Sequence, residues 1–220
     1  MSKKVKIKEL FSIESDFLSQ WFDGYEYPWE LLPEIGNFVK KMIDEGIPGY
    51  SLYAKGVLVG EGVTVAPTAT ILPPAIIGSG TEIRPGAYIR GNVIIGENCV
   101  IGNSTELKNC ILLNKVQVPH YNYVGDSVLG KGAHLGAGAV CSNLKADKKP
   151  VVIRGDRDYE TGLKKVGAFL GDGADVGCNC VLNPGTVVGK GSRVYPLTLL
   201  RGVYPENVIV KKTDDFVEIQ

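Results

Sequence analysis

Aliphatic side chains recur at every sixth position along most of the chain. One run passes without a miss through Val59, Val65, Ile71, Ile77, Ile83, Ile89, Ile95, Ile101, Leu107 and Leu113, and a second passes through Leu170, Val176, Leu182, Val188, Val194 and Leu200. An α-helix repeats its apolar positions about every 3.6 residues, and a half-buried strand does so about every two. The spacing therefore excludes both as the main repeating element of this region.

Six residues are enough for one short strand followed by a corner. A glycine often follows the aliphatic residue, as in Ile77-Gly78 and Ile95-Gly96, and glycine suits a corner where the backbone is crowded. Three such units would close one coil of about 18 residues, and stacked coils would bury their aliphatic side chains in a continuous column. The pattern therefore predicts a mainly β protein, a parallel β-helix of hexapeptide repeats.

The pattern also divides the chain into three parts. Residues 1–50 carry a short helical segment, with an apolar stripe at Leu31, Ile35, Phe38 and Met42. The β-helix is expected over residues 57–205, and residues 206–220 are expected to be a C-terminal tail.

Two interruptions break the repeat. Residues 114–123 are one residue short of the period, and residues about 142–169 leave it altogether. The second interruption is predicted to be an inserted hairpin that turns at Gly155-Asp156 or at Thr161-Gly162. Loops on a rigid scaffold are where binding sites are usually built, so both interruptions are candidate site regions.

Charge and composition exclude several classes of function. Lys and Arg together number 24, as do Asp and Glu, so the formal net charge is zero. Nucleic-acid binding and a polybasic membrane anchor are therefore not expected. The first residues, MSKKVKIKEL, lack the apolar core of a signal peptide, and no apolar run of about 18 residues occurs. We expect a cytoplasmic protein that does not cross a membrane.

The cysteines and histidines do not suggest a metal site. Five cysteines form no CxxC pair, so packed, reduced thiols are expected. Cys178 and Cys180 could be a soft-metal pair, but small apolar side chains filling a flank position explain them more simply. Only two histidines are present, whereas some β-helix enzymes hold zinc with three.

The candidate chemistry lies around the first interruption. His120 occurs there, off the inward phase and beside two tyrosines. Arg90 and Lys108 are eighteen residues apart, so stacked coils would place them one above the other on one face. Two cations about 5 Å apart repel unless an anion lies nearby. They are either a cradle for a phosphate or carboxylate, or a pair of solvated surface charges.

One stretch resembles a known family. ELKN, followed after ten residues by HYNYVGDSVLGKGAHLGAGAVCSN, is similar to the acetyltransferase half of the bacterial bifunctional enzymes that make UDP-N-acetylglucosamine, and to related nucleotidyltransferase-type β-helix proteins. The resemblance covers about residues 57–205. It implies a left-handed coil, a handedness that the spacing alone does not dictate.

The resemblance implies a role for several side chains. His120 corresponds to the general base that takes a proton from the substrate amine. Arg90, Lys108 and Tyr123 correspond to the residues that hold the sugar phosphate. Lys149 corresponds to a substrate-binding lysine on the following loop.

Other positions border the substrate or the coenzyme in that family. Asn143 corresponds to an asparagine at the acyl-donor end, and the backbone at Ala137 borders the coenzyme. This chain departs from the family at three positions: His134 replaces an asparagine that contacts the sugar, Cys178 replaces a serine at the coenzyme, and Pro196 replaces a small residue there.

The resemblance implies an N-acetyltransferase in nucleotide-sugar synthesis. The expected reaction moves an acetyl group from acetyl-CoA to the amine of an amino-sugar phosphate such as glucosamine-1-phosphate, without a metal. A homotrimer is implied as well. The alternative is a non-catalytic trimeric module that binds a sugar phosphate and assists a separate nucleotidyltransferase. Nucleotidyl transfer by this chain is not expected, because residues 1–50 contain no GxGTRM-like phosphate loop and are too few for that domain.

Overall fold

The computed structural model of the protein describes residues 3–14, 16–213 and 215–218. Four helices precede the coils: α1 (Ile7–Leu10), α2 (Asp16–Asp23), α3 (Pro28–Leu31) and α4 (Ile35–Glu45). None of the helices in these ranges is long and apolar enough to cross a membrane. Short parallel strands then form three long sheets, and one sheet lies on each face of a triangular prism.

The three faces are called A, B and C below. Face A contains β1 (Tyr50–Ala54), β2 (Val57–Gly60), β5 (Ala75–Ile77), β8 (Val93–Ile95), β11 (Cys110–Leu112), β14 (Val128–Leu129), β19 (Ala168–Leu170), β22 (Thr186–Val188) and β25 (Val203–Tyr204). Face B contains β3 (Thr64–Val65), β6 (Glu82–Ile83), β9 (Val100–Asn103), β12 (Gln117–His120), β15 (His134–Leu135), β20 (Asp175–Val176), β23 (Arg193–Val194), β26 (Val208–Lys212) and β27 (Asp215–Glu218). Face C contains β4 (Thr70–Ile71), β7 (Tyr88–Ile89), β10 (Glu106–Lys108), β13 (Tyr123–Gly125), β16 (Val140–Cys141), β21 (Val181–Leu182) and β24 (Leu199–Leu200).

The aliphatic column fills the prism. Ile77 pairs in register with Ile95 on face A, and Ile83 pairs with Ile101 on face B. Each pair joins neighbouring coils, and all four side chains are buried. The register stacks like residues on like residues, which is how a solenoid buries a continuous core. The predicted left-handed parallel β-helix is confirmed.

The repeat slips at two corners between faces C and A. The inward residue after Leu107 is Leu112, because Ile95 pairs with Leu112, and Leu113 belongs instead to the outer apolar cluster. The prediction that Leu113 points inward is therefore wrong. Val124 and Leu129 form a second step of five residues. The slip predicted within residues 114–123 thus falls at two corners on either side of that stretch.

Each shortened corner turns on a single residue in the left-handed region. These residues are Asn109, with φ of 49°, and Asp126, with φ of 48°. The full-length corner one coil earlier uses both Gly91 and Asn92, with φ of 84° and 51°. Asparagine and aspartate tolerate this conformation better than most residues, so a one-residue corner can carry a polar side chain.

The helical segment packs along the outside of face A. Trp29 and Ile35 are buried in one cluster with Ile94, Ile111 and Phe169, which point outward from that face. At the first edge of face A, β1 runs antiparallel to β2. Faces B and C carry no such helical layer in the described part of the chain.

The insertion and the C-terminal segment complete the fold. β17 (Val152–Arg154) and β18 (Asp158–Glu160) form an antiparallel hairpin around residues 155–157. Of the two predicted turns, Gly155-Asp156 is confirmed and Thr161-Gly162 is wrong. The solenoid also runs past residue 205, into the segment predicted to be a tail. There β26 pairs in parallel with β23, and β27 pairs antiparallel with β26.

Candidate active site at one corner of the prism

One position in each coil forms a row along the corner between faces B and C. Asn103, His120, Ala137, Cys178 and Pro196 belong to this corner row. Backbone hydrogen bonds between successive coils fix their order. In each bond, the residue that follows one member in the sequence donates its N–H to the carbonyl of the member one coil earlier: Tyr121 N to Asn103 O (2.8 Å), Gly138 N to His120 O (3.0 Å), Asn179 N to Ala137 O (2.8 Å) and Leu197 N to Cys178 O (2.9 Å). Neighbouring members are therefore about 4.8 Å apart, the usual spacing of paired strands.

The backbone of His120 is held firmly, whereas its ring is exposed. Its N–H donates to Oδ1 of Asn122 at 3.1 Å, and the buried amide of Asn122 donates to the carbonyl of Gly136 at 2.8 Å. Within residues 3–14, 16–213 and 215–218, no side chain hydrogen-bonds or ion-pairs with the imidazole. The ring is therefore available to a ligand or to another chain.

A buried carboxylate organises the neighbouring strand ends on face C. Asp126, whose side chain is 6% exposed, accepts hydrogen bonds from Lys108 Nζ at 3.0 and 3.1 Å. It also accepts from Nδ2 of Asn109 at 2.9 Å and from Nδ2 of Asn143 at 2.5 Å. The two shortened corners bring Asn109 and Asp126 one above the other. Three donors, from the coils on either side of Asp126, therefore meet on one acid.

Tyr123 lies beside this carboxylate. Nδ2 of Asn143 also donates to the Tyr123 hydroxyl at 3.2 Å. Burial raises the pKa of Tyr123, and the negative charges of Asp126 and Glu106 raise it further. Gly125 leaves room for this arrangement, because a Cβ there would lie 2.5 Å from the Tyr123 hydroxyl and would displace it. The phenol is therefore kept neutral and fixed in position.

Arg90 and Lys108 have the predicted stacking but are not bare cations. β7 and β10 pair so that the two residues are one coil apart on face C. Arg90 Nη1 is 2.7 Å from Glu106 Oε1, and this hydrogen bond raises the pKa of the guanidinium. Lys108 pairs with Asp126, so the four groups sum to zero formal charge. Each cation therefore has a carboxylate on the following coil, which relieves the repulsion expected between two stacked cations.

The sequence contains a signal for both missed partners. Asp126 follows Lys108 by 18 residues, the same separation that links Arg90 to Lys108. Glu106 is two residues before Lys108 and therefore points outward from the same strand. Applying the coil period to acids as well as to bases would have found both.

Two of the predicted site residues lie elsewhere. His134 is on face B, where its Nδ1 lies 2.8 Å from Oδ1 of Asp175 on the next coil. Lys149 is exposed on the loop before β17, and its backbone N–H donates to Oδ1 of Asp147 at 3.1 Å. Neither contacts the acid of Asp126 or the ring of His120 through any hydrogen bond within the described ranges.

The cysteines differ in exposure. All five thiols are unpaired, and only Cys178 is exposed. Asn179, with φ of 55°, turns the corner between Cys178 and Cys180, so the two thiols do not line one strand. Among the described residues, no group of three or more His, Cys, Asp or Glu side chains could hold a metal ion.

Comparisons with known proteins agree with this architecture. The family model described as the GMPPB C-terminal domain matches residues 71–156. The bifunctional protein GlmU of Methanococcus maripaludis is 31% identical over 220 residues, which are 99% of this chain and 53% of that protein. The bifunctional sugar-1-phosphate nucleotidylyltransferase/acetyltransferase of Sulfurisphaera tokodaii is 37% identical over 95 residues, or 42% of this chain and 23% of that protein. The chain thus spans about half of the first of these relatives and less of the second.

A solved structure shares the fold. The UDP-N-acetylglucosamine acyltransferase from Campylobacter jejuni aligns with a TM-score of 0.51 and 15% identity, over 73% of this chain and 69% of that one. The chain is a hexapeptide-repeat β-helix protein. The predicted resemblance is confirmed, and the match to the Methanococcus relative includes the helices of this hexapeptide-repeat protein as well as its coils.

Proposed function

We propose that this hexapeptide-repeat protein transfers an acetyl group from acetyl-CoA to the amine of an amino-sugar phosphate. The corner row carries the proposal. His120 and three of the four positions that the resemblance assigns to the coenzyme, Ala137, Cys178 and Pro196, follow one another on four successive coils. An extended thioester could lie along such a row with its acyl end at the imidazole. The names of the Sulfurisphaera and Campylobacter relatives, both acyl-transferring enzymes, give further support.

His120 would act as the general base. The free amine attacks the thioester carbonyl, the C–N bond forms, and the imidazole takes the proton that the nitrogen loses. The tetrahedral intermediate then expels the coenzyme thiolate, which accepts that proton. Imidazole is the side chain most often used for such proton transfer near neutral pH.

Asn143 would serve as a positioning residue. Its Nδ2 group already donates to Asp126 and to Tyr123, which uses both of its hydrogens. The oxyanion would therefore be stabilised by another donor, such as the backbone N–H of Ala137, which donates to no residue that the structure describes. Asn143 instead keeps the Tyr123 hydroxyl directed at the substrate side.

The phosphate of the substrate would bind beside Arg90, Lys108 and Tyr123. Glu106 is partly exposed, so its side chain can swing away when a phosphate takes its place on Arg90. Asp126 is buried and would keep its ion pair with Lys108, so the ammonium group of Lys108 would be shared between Asp126 and the phosphate. His134, on face B, and Lys149, on the loop before β17, would contact the sugar from the periphery of the site. Binding energy at the phosphate would position the remote amine.

A homotrimer would complete the site. Helices cover face A, whereas the corner of faces B and C exposes apolar side chains, including Tyr121 at 65% and Leu197 at 79%. The partnerless ring of His120 lies at the same corner and would gain neighbours from a second chain. Light scattering should give about 71 kDa, three times the 23.7 kDa chain. A mass of one chain would contradict the trimer.

We further propose that a nucleotidyltransferase acts with this protein. The Methanococcus and Sulfurisphaera relatives are named as bifunctional, and this chain spans 53% and 23% of them. The sugar phosphate made by acetylation would be the substrate of that second activity.

Thiol release from acetyl-CoA in the presence of glucosamine-1-phosphate tests the reaction. His120→Ala should lower kcat by about 10²- to 10⁴-fold, the usual contribution of a general base. Gln117→Ala, an exposed position on the same strand, should leave kcat unchanged. If the wild type binds the sugar phosphate without turnover, the protein is a binding module, the alternative function, rather than an enzyme.

A further inference from the structure

A cleft lies at the corner between faces C and A, where the insertion meets the coils. Its volume is about 640 Å³, within the range of about 300–1,000 Å³ typical of small-molecule sites. Asn183 and Arg201 form its floor, and Leu144 and Arg154 of the insertion form its wall. Arg201 is four coils from Lys108 in the register of face C, about 19 Å away at the usual strand spacing. Arg201 is therefore distant from Lys108, although the cleft adjoins the proposed acetyl-transfer site at Ser142 and Leu144, which flank Asn143.

The insertion is fixed against the coils at this cleft. Ile153 is fully buried, so its neighbour Arg154 points outward into the cleft. A Cβ at Gly185 would lie 2.8 Å from Val151 Cγ1, and one at Gly202 would lie 3.3 Å from the carbonyl oxygen of Arg154. Both glycines have positive φ, 80° and 87°. The wall and the floor therefore meet in close backbone contact.

The cleft carries excess positive charge. Lys145 is paired with Asp147 at 3.3 Å, which cancels one cation and one anion. Arg154 and Arg201 have no salt bridge or side-chain hydrogen bond to any residue that the structure describes. Two unpaired guanidinium groups thus line one cavity in a chain whose net charge is zero.

We propose that this cleft binds the diphosphate group of a nucleoside diphosphate. Each guanidinium presents a planar fork that pairs with two phosphate oxygens, so two arginines match two phosphates. A free phosphate would fill only a small part of the cavity. Leu144 and Pro184 supply apolar surface for the nucleoside. The inference goes beyond acetyl transfer and does not depend on it.

Calorimetric titration of the full chain with UDP tests the site. Arg154→Gln and Arg201→Gln should each weaken UDP binding about tenfold or more, because each removes a charge-assisted hydrogen-bonding group. Arg193→Gln removes the same charge from an exposed position on face B of the same coil and should change the affinity by less than about twofold. Thermal melting of each variant checks that it is folded.

Two sources of a nucleoside diphosphate are distinguished by competition. If CoA displaces UDP from the wild type and Arg154→Gln weakens both, the diphosphate is that of the coenzyme. If CoA does not compete, the ligand is a nucleotide or a nucleotide sugar. His120→Ala should retain UDP binding, which separates this site from acetyl transfer. Absence of UDP binding at about 1 mM UDP, or an equal loss of affinity in Arg193→Gln, would overturn the proposal.

Discussion

Replacing Asp126 with asparagine tests whether this acid organises the site. The substitution keeps the size of the side chain and a residue type that tolerates the left-handed φ of 48°, but it removes the charge. Lys108, 26% exposed, then has no anionic partner. Breaking a fully buried pair costs about 3–5 kcal/mol, and because solvent partly reaches this lysine, we expect a loss of about 2–3 kcal/mol.

Glu106→Gln is the matched control. It also removes the negative charge from an ion pair on face C, the pair of Arg90 and Glu106, but these side chains are 44% and 33% exposed. An exposed pair contributes about 0–1 kcal/mol, so this variant should unfold close to the wild type. Urea unfolding at one protein concentration gives both free energies. If Asp126→Asn loses no more stability than Glu106→Gln, Asp126 does not hold the strand ends together as argued here.

Two further predictions concern the cysteines. Burial raises the pKa of Cys99 and of Cys141 to about 12, whereas an unfolded thiol ionises near 8.5. These groups therefore stabilise the fold fully below about pH 8.5, and that contribution is lost as the pH rises towards 12. The urea concentration at the midpoint of unfolding should decrease when the pH is raised from 7 to 10, and it should decrease less in Cys141→Ala than in the wild type. An equal decrease in both proteins would contradict this. Separately, N-ethylmaleimide should modify only Cys178 in the folded protein and all five thiols in denaturant, as counted by mass spectrometry. Acetyl-CoA should slow the modification of Cys178, and an unchanged rate would argue against the corner row as the coenzyme site.

The period of six is enough to predict the fold, because a buried aliphatic at each inward position leaves few other ways to close the chain. It is not enough to locate the slips. Leu113 follows the six-residue count, yet Leu112 points inward, because the corner at Asn109 needs one residue fewer. Corner length depends on whether a residue such as Asn109 or Asp126 adopts positive φ, and no hydrophobic pattern records that choice.

The site could be predicted in part. The register of Arg90 and Lys108 follows directly from the coil length. Their neutralisation by Glu106 and Asp126 depends on rotamers and on the shortened corners, and the spacing of bases alone does not encode these. The arginine pair at Arg154 and Arg201 could not be foreseen either, because it joins the insertion to a coil with no repeat connecting them.

The antiparallel strands β1 and β27 each cover one sheet edge, at opposite ends of the solenoid. A stack of parallel coils could in principle recruit the coils of another molecule at its open edges and grow into a fibre. Here face A begins with β1 and face B finishes with β27, and each runs against its neighbour. These two edges therefore do not offer a parallel strand to another molecule, which disfavours the addition of a coil there. The number of coils sets distances along the prism. Adding or deleting one coil between the imidazole and one end would change the distance to that end by about 5 Å.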